Sequence, residues 1–343
     1  AEMFSFPLFI SLYTVSVAFY MPTIALSNSA AYGILEQNGY DTVKDFPPIR
    51  VFGTVGFIAS MWIMNFCKTS AGTSFQFTYH QFIISGVIGL VLVLYCFTLP
   101  KIRKAETQGQ SLMDALGLSA FKLFRDKQMA IFFIFSMLLG VALQITNGYA
   151  TPFISHFKDN PLFAGSWGAA NANVLISIGQ VSETLCILLI PFAMKKFGIK
   201  NVMLIAMLAW VLRFGLFGLG DTGSGVWMLI LSCIVYGVAF DFFNISGSLY
   251  VNERTSGSVQ NSAQGLFMLM TNGIGATVGT LSAQAIVNHF TYSETVMVNG
   301  EEMVFTMGDW STCWYIFAGY ALVVAILFFI LFKAPAKDAP KLV

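Results

Sequence analysis

Nine long apolar stretches limit what this chain can become. They run approximately over residues 4–35, 47–67, 75–99, 128–156, 169–194, 200–219, 226–251, 262–288 and 311–332. Each is near the ~20 residues that a helix needs to cross a ~30 Å hydrocarbon layer. Only 10% of the 343 residues are charged, whereas soluble globular chains carry about 25%. So few charges cannot cover a water-facing surface of this size, and the expected class is an all-α polytopic membrane protein. The eighth stretch, QGLFMLMTNGIGATVGTLSAQAIV, is the least hydrophobic of the nine; the charge on the loops supports it.

Basic residues alternate from loop to loop. One set of loops carries Lys44 and Arg50, then Lys101, Arg103, Lys104, Lys122, Arg125 and Lys127, then Lys195, Lys196 and Lys200, then Arg254, then Lys333, Lys337 and Lys341. The other set carries only Lys68 and Lys158 and ends on the acidic Glu294, Glu301, Glu302 and Asp309. Fifteen basic residues against two is a positive-inside pattern. It places the C-terminus in the cytoplasm and, with nine spans, the first residue outside. The opening AEMFSFPLFISLY has no basic n-region and no cleavage site.

The longest inner loop, Leu99 to Lys127, is preceded by three spans and followed by six. Taken as the linker between two six-span halves, it leaves three spans to precede this sequence. The expected organisation is therefore part of a twelve-span transporter. Residues 1–99 hold the last three spans of the first half, 100–127 a cytoplasmic linker, 128–333 the six-helix second half and 334–343 a cytoplasmic tail. Secondary carriers of this kind hold their substrate near the bilayer midplane, between repeats. Within the linker, SLMDALGLSAFKLFRDKQMA places Leu112, Leu116, Phe121 and Phe124 among basic residues, as suits an amphipathic helix along the inner interface.

Several function classes fall away. Net charge is +1, and no basic run exists to hold a phosphate backbone, so nucleic acid is not an expected partner. The five cysteines (Cys67, Cys96, Cys186, Cys233, Cys313) lie in or at the ends of apolar spans without a CxxC pair. They indicate neither a disulfide frame nor zinc, and they suit small apolar fillers. No HExxH, Walker or GxSxG motif is present; neither enzymatic activity nor a metal or cofactor is expected. Gly218-Leu-Gly-Asp221 matches the GxGD of intramembrane aspartyl proteases. However, Asp221 falls at the outer end of its span, before a TGSG loop, and the aspartate pair stands in reverse order.

The polar residues inside the spans carry the functional argument. In NANVLISIGQVSETLCILLIPFAMKK, from Asn171 to Lys196, Gln180 and Glu183 stand at i and i+3, on one helix face. Counting from Lys195 puts Glu183 ~18 Å into the layer, near its midplane. A carboxyl group at that depth either fastens two helices or faces a watery cavity, and it is a functional candidate by default. In DFPPIRVFGTVGF, Asp45 is a candidate N-cap before two prolines. Arg50, Thr54 and Phe57 then recur at i, i+4 and i+7 along one stripe. A guanidinium, a hydroxyl and a ring on one face suit a flat polar ligand; the competing reading is an arginine snorkelling to the headgroups.

The fourth span carries Gln144 and Asn147, again i and i+3. They either read a ligand's edge or join helices at ~0.6 kcal/mol each. In IVYGVAFDFFNISG, Tyr236 and Phe240 are one turn apart, with Asp241 and Asn244 on the neighbouring side. Asp241 is the second deep carboxylate, and desolvation penalises the charged form of either acid, so both are candidates to load and release a proton. Arg213 is the remaining deep charge; it is expected to pair with a carboxylate or reach the outer rim. Gly275 and Gly279 form a GxxxG that permits close helix packing.

DFPPIRVFGTVGF, MAIFFIFSMLLGVALQITN, GQVSET, GIKNVM and YGVAFDFFNISGS together resemble the nucleoside:proton symporters of the major facilitator superfamily, in order along nearly the whole chain. The resemblance aligns the first span here with the family's fourth. It implies nucleoside uptake across the bacterial inner membrane, driven by inward proton flow through alternating access. It also implies substrate contacts at Arg50, Thr54, Phe57, Gln144, Asn147, Gln180, Glu183, Tyr236 and Phe240, with Asp241 an acid important for transport. The chemistry is compatible: a base can stack on Phe57, Tyr236 or Phe240, its edge can meet Gln144 and Asn147, and ribose hydroxyls can donate to Glu183. Glu183 and Asp241 are the candidates for proton coupling. The expected partners are a nucleoside, a proton and the lipid bilayer, and the expected state is a monomer. The alternatives are a sugar or polyol proton symporter on the same scaffold and, from another class, an intramembrane protease or a receptor that does not transport.

Overall fold

A computed structural model describes residues 6–40, 42–70, 75, 78–100, 118–158, 160, 162–163, 165–255, 259–298, 301–334 and 342. Among these, every apolar stretch read from the sequence is helical. The first three are α1 (Phe6–Gln37), α2 (Thr42–Phe66) and α3 (His80–Cys96). The helix α2 starts three residues before Asp45, which therefore lies in its first turn and is not its cap; a carboxylate there still complements the positive end of the helix.

The inner-interface helix expected over SLMDALGLSAFKLFRDKQMA is only partly within the described residues: Leu112 and Leu116 lie outside them. Its second half is a 3₁₀ helix, Leu118–Arg125, with Ser119, Ala120 and Leu123 buried and Phe121 exposed. Asp126 then caps α4 (Lys127–His156), its side chain accepting from the Met129 N–H at 2.9 Å.

The next helix, α5 (Ala172–Leu219), has 48 residues. At 1.5 Å per residue it is ~72 Å long, more than twice the hydrocarbon thickness, so it makes two spans. They meet at Gly198, where φ is +73°, a conformation a Cβ disfavours. The break falls beside Lys195, Lys196 and Lys200. The Lys196 ammonium lies 5.7 Å from the Phe192 ring and 5.4 Å from Phe197, and the Lys200 ammonium 5.2 Å from Phe329.

The helix α6 spans Val226–Arg254. The eighth stretch, the least hydrophobic, is continuous: α7 (Val259–Met268), a π-helical turn (Leu269–Gly275) and α8 (Ala276–Phe290). The acidic loop before the last span is more ordered than its charge suggests. It forms a hairpin of β1 (Thr291–Val298) and β2 (Glu301–Gly308), paired antiparallel from Thr291↔Gly308 to Val298↔Glu301. Asp309 then caps α9 (Trp310–Leu331), accepting from the Thr312 N–H at 3.0 Å.

Close approach of backbones holds the second part of the molecule together. A Cβ on Gly237 of α6 would sit 2.6 Å from the Glu183 nitrogen and 2.6 Å from the Ser182 carbonyl carbon, so α5 and α6 touch main chain to main chain. The Ser182 hydroxyl donates to the Ile234 carbonyl at the same crossing. The GxxxG pair behaves likewise: a Cβ on Gly275 would meet the Met137 carbonyl oxygen at 2.5 Å, and one on Gly279 the Val141 Cα at 2.9 Å. Around these crossings aromatic rings fill the interior, Phe132 against Phe243, Tyr250 and Phe267, and Trp314 against Phe153, Phe214, Phe217 and Phe317. Cys186, Cys233 and Cys313 are buried free thiols among them; Cys67 and Cys96 are exposed.

Candidate functional site

The two deepest acids come from α5 and α6, brought together by the Gly237 crossing. Glu183 is 5% exposed and Asp241 3%. Across from them α2 presents Thr54, itself 2% exposed, whose hydroxyl donates to Glu183 Oε1 at 3.2 Å. A second bond joins the same helices: Trp62 Nε1–H donates to Ser177 Oγ at 3.2 Å. Eight residues forward on α2 correspond to six backward on α5, so the two helices run antiparallel, as the second and fifth crossings of one layer must.

Arg50 stands one turn before Thr54, close enough for its charge to act on both Glu183 and Asp241. Its Nη1 lies over Gly53, where a Cβ would be only 2.6 Å away; the glycine clears the path of the guanidinium. Asp241 Oδ2 is buried with no hydrogen-bond partner among the described residues. An orphaned carboxylate oxygen in a protein interior is rare and calls for a functional reason.

The aromatic part of the site is equally ordered. The Tyr236 and Phe240 rings are parallel within 6°, with centroids 5.9 Å apart, and the Gln180 side chain lies near the Tyr236 hydroxyl. Thus Arg50, Thr54, Glu183 and Asp241 form one group and Gln180, Tyr236 and Phe240 a second beside it. Gln144, half-buried, packs its Cβ against Gly279 of α8. Phe57, 55% exposed, and Asn147, also exposed, stand apart, with no ring pair or hydrogen bond to the rest among the described residues.

Two expectations change. Among the described residues Arg213 pairs with no carboxylate, and it does not reach a rim: it is 2% exposed. Its Nη1 donates to the Ser232 carbonyl at 2.7 Å and its Nε to Thr146 Oγ1 at 3.3 Å. Its guanidinium carbon lies 4.5 Å from the Tyr236 ring centre and 4.8 Å from that of Phe217. A cation can be buried between rings and carbonyls when the hydrogen bonds are also supplied. Asp221, of the protease-like motif, binds its own loop: Oδ1 accepts from the Gly223 and Gly225 N–H groups at 2.7 and 2.9 Å.

Sequence reasoning passed over a recess next to Phe240. Leu139, Gly140 and Leu143 of α4, Trp210 of α5, Ala239, Phe240, Phe243 and Asn244 of α6, and Thr271 and Asn272 of the π turn line it.

With this geometry in place, comparison with known proteins decides the family. The family described as "Nucleoside H+ symporter" matches residues 1–337. This chain belongs to the nucleoside H+ symporter family. It is 47% identical over 316 residues to "Nucleoside permease NupG" of Escherichia coli (strain K12), covering 92% of this chain and 71% of that protein. It is 48% identical over 321 residues to "Xanthosine permease" of the same organism, covering 93% of this chain and 72% of that one. The crystal structure of nucleoside transporter NupG superposes with a TM-score of 0.71, and a mutant form of it with 0.75, each at 46% identity and covering 92% of this chain and 74% of that one. The fold is accordingly that of the major facilitator superfamily. As a member of the symporter family the chain is a multi-pass membrane transporter and not an enzyme, and the resemblance drawn from its motifs holds.

Proposed function

We propose that the protein brings nucleosides into the bacterial cell across the inner membrane, and that Arg50, Thr54, Phe57, Gln144, Asn147, Gln180, Glu183, Tyr236 and Phe240 contact the substrate while Glu183 and Asp241 couple it to protons. Membership of the nucleoside H+ symporter family supports the reaction. The observation that carries the site is the Thr54–Glu183 bond between α2 and α5, with Asp241 close by and the Arg50 charge near enough to act on both acids.

Charge counting then suggests how coupling works. With both acids ionised, Arg50 leaves the trio one negative charge in excess. One proton makes it neutral, and a neutral trio is far less costly to close off from water. Glu183 holds Thr54 through Oε1, which leaves its other oxygen for a ribose hydroxyl. A stacked Tyr236–Phe240 face suits a flat base, and Gln144 with Asn147 offers donors and acceptors to one base edge. An inside-negative potential adds ~2.3 kcal/mol per charge per 100 mV to the inward step.

In this reading residues 1–99 and 128–333 belong to two halves that rock about the site, 100–127 links them, the C-terminus is cytoplasmic and the unit is a monomer. The test is uptake by the full-length protein in proteoliposomes. Uridine or adenosine should accumulate only when the outside is made acidic, and a protonophore should abolish the accumulation. Absence of any proton-dependent nucleoside uptake would overturn the proposal.

A further inference from the structure

The break in α5 gathers positive charge at the boundary between lipid and water. Lys195 and Lys196 precede Gly198 and Lys200 follows it. The Asn201 amide fixes the break by donating to the Phe197 carbonyl at 2.9 Å. The helix end before the break carries about half a negative charge, and the one after it about half a positive charge. These two cancel, so the helix ends do not offset the three ammonium groups. No acid pairs with any of them among the described residues.

Repulsion would spread such a group, yet two of the three are held in place. The Lys196 ammonium lies 5.7 Å from the Phe192 ring and 5.4 Å from that of Phe197. The Lys200 ammonium donates to the Phe329 carbonyl of α9 at 2.9 Å and lies 5.2 Å from the Phe329 ring. An ammonium has three donors, so each keeps N–H groups for a further acceptor. The result is a cradle across the seam between α5 and α9, with cations at its rim. Its rings are exposed, and the exposed Leu188 and Leu189 continue the apolar surface one turn further along the span. A soluble anion would use the ammonium groups and leave the rings untouched. A ligand that uses both needs a negative head and hydrocarbon chains.

We propose that this cradle binds one anionic phospholipid. The headgroup phosphate accepts from Lys196 and Lys200, and the acyl chains lie along the phenylalanine rings and the two leucines. Basic recesses between spans at the membrane surface take headgroups of this kind. Lysines that only set the direction of insertion have no need to be held over rings or tied to a neighbouring helix, and these two are. A lipid seated here spans α5 and α9 and holds them together. The inference goes beyond the transport reading and is independent of it: it needs the folded protein and a lipid, and no substrate.

The experiment titrates the purified full-length protein, in a neutral detergent, with phosphatidylglycerol. The thermal unfolding midpoint is followed, because a ligand of the folded state raises it. The midpoint of the parent should rise. In the Lys196→Gln, Lys200→Gln double variant the concentration for half the effect should increase ~10-fold or more, and the matching pair of arginine substitutions should restore it. A control that loses the same charge elsewhere, Lys122→Gln with Lys127→Gln, both exposed, should respond as the parent does. Phosphatidylcholine has chains without net charge and inorganic phosphate has charge without chains; neither should move the midpoint. An equal response of the parent and the glutamine pair to phosphatidylglycerol would overturn the site, and so would a response to phosphate or phosphatidylcholine as large as that to phosphatidylglycerol. If the glutamine pair does not fold, Lys196→Gln alone decides, because Lys196 touches rings and holds no carbonyl among the described residues. Its half-effect concentration should increase ~3-fold or more, and no increase counts against the site.

Discussion

Glu183 and Asp241 differ in what their oxygens touch, and that difference separates their expected behaviour. Glu183 is engaged by Thr54, whereas Asp241 Oδ2 has no partner among the described residues. Asp241→Asn keeps the shape and removes the proton site. It should retain counterflow, which needs no net proton movement, and lose the acceleration by an inward proton gradient. Glu183→Gln removes a charged acceptor as well, so it should raise the nucleoside KM in counterflow ~10-fold or more. Equal loss of both modes in Asp241→Asn would refute the division. Arg213 acts at one remove, through the ring it lies against. Arg213→Met leaves the Ser232 carbonyl and Thr146 without their donor and Tyr236 without its cation. It should cost ~1–3 kcal/mol of stability and raise KM, and Arg213→Lys should recover only part of each; thermal unfolding in detergent and counterflow report the two effects.

At the scale of helices, crossings made by glycine fix where the site residues stand. Gly237→Ala forces a methyl against the Ser182 and Glu183 backbone, which cannot swing away as a side chain can. The expected destabilisation is ~1–3 kcal/mol, with impaired transport because Glu183 moves. Gly265→Ala, where nothing lies within 4 Å, should instead stabilise by ~0.5–1 kcal/mol; denaturation midpoints of the two variants should move in opposite directions. The cap of α9 gives a pH test. The Thr312 hydroxyl and N–H donating to Asp309 hold its carboxyl below the usual range. Its stabilisation is therefore complete above the ordinary carboxylate range and lost as pH falls through the lowered value. The stability gap between parent and Asp309→Ala should close on acidification. These elements were unevenly legible. Nine spans could be read because hydropathy sums over some twenty residues, and Gly275 and Gly279 announced a close crossing. The hairpin could have been found from Asn299-Gly300 between alternating residues, a signal hidden by reading the loop for its charge. The π turn has no comparable sequence mark. For the site, i and i+3 spacing showed that Gln180 and Glu183 share a face. It could not show that Thr54, 129 residues away, would meet Glu183, nor that Arg213 would be caged by rings.

For the whole molecule, the order of the helices and the placement of charge must agree, because each crossing reverses the chain. The antiparallel pairing of α2 with the first half of α5, read from the Thr54–Glu183 and Trp62–Ser177 bonds, is one local expression of that rule. Lysines and arginines collected on alternate loops give it a direction. Two native cysteines make the direction measurable without adding a probe. Cys67 follows the end of α2 and Cys96 closes α3, and both are exposed free thiols. Successive helices put them at opposite faces: Cys67 beside Lys68 on the poorly basic side, Cys96 beside the strongly basic loop. A maleimide that cannot cross the bilayer reacts with a thiolate in water and not with a thiol in lipid or protein interior. Added to intact spheroplasts, it should label the Cys96→Ser variant, through Cys67, and leave the Cys67→Ser variant unlabelled until the membrane is opened. The buried Cys186, Cys233 and Cys313 should stay silent in both until the protein is denatured. The reverse pattern would turn the whole molecule over: the acidic hairpin would face the cytoplasm and the proposed inward proton flow would lose its structural sense.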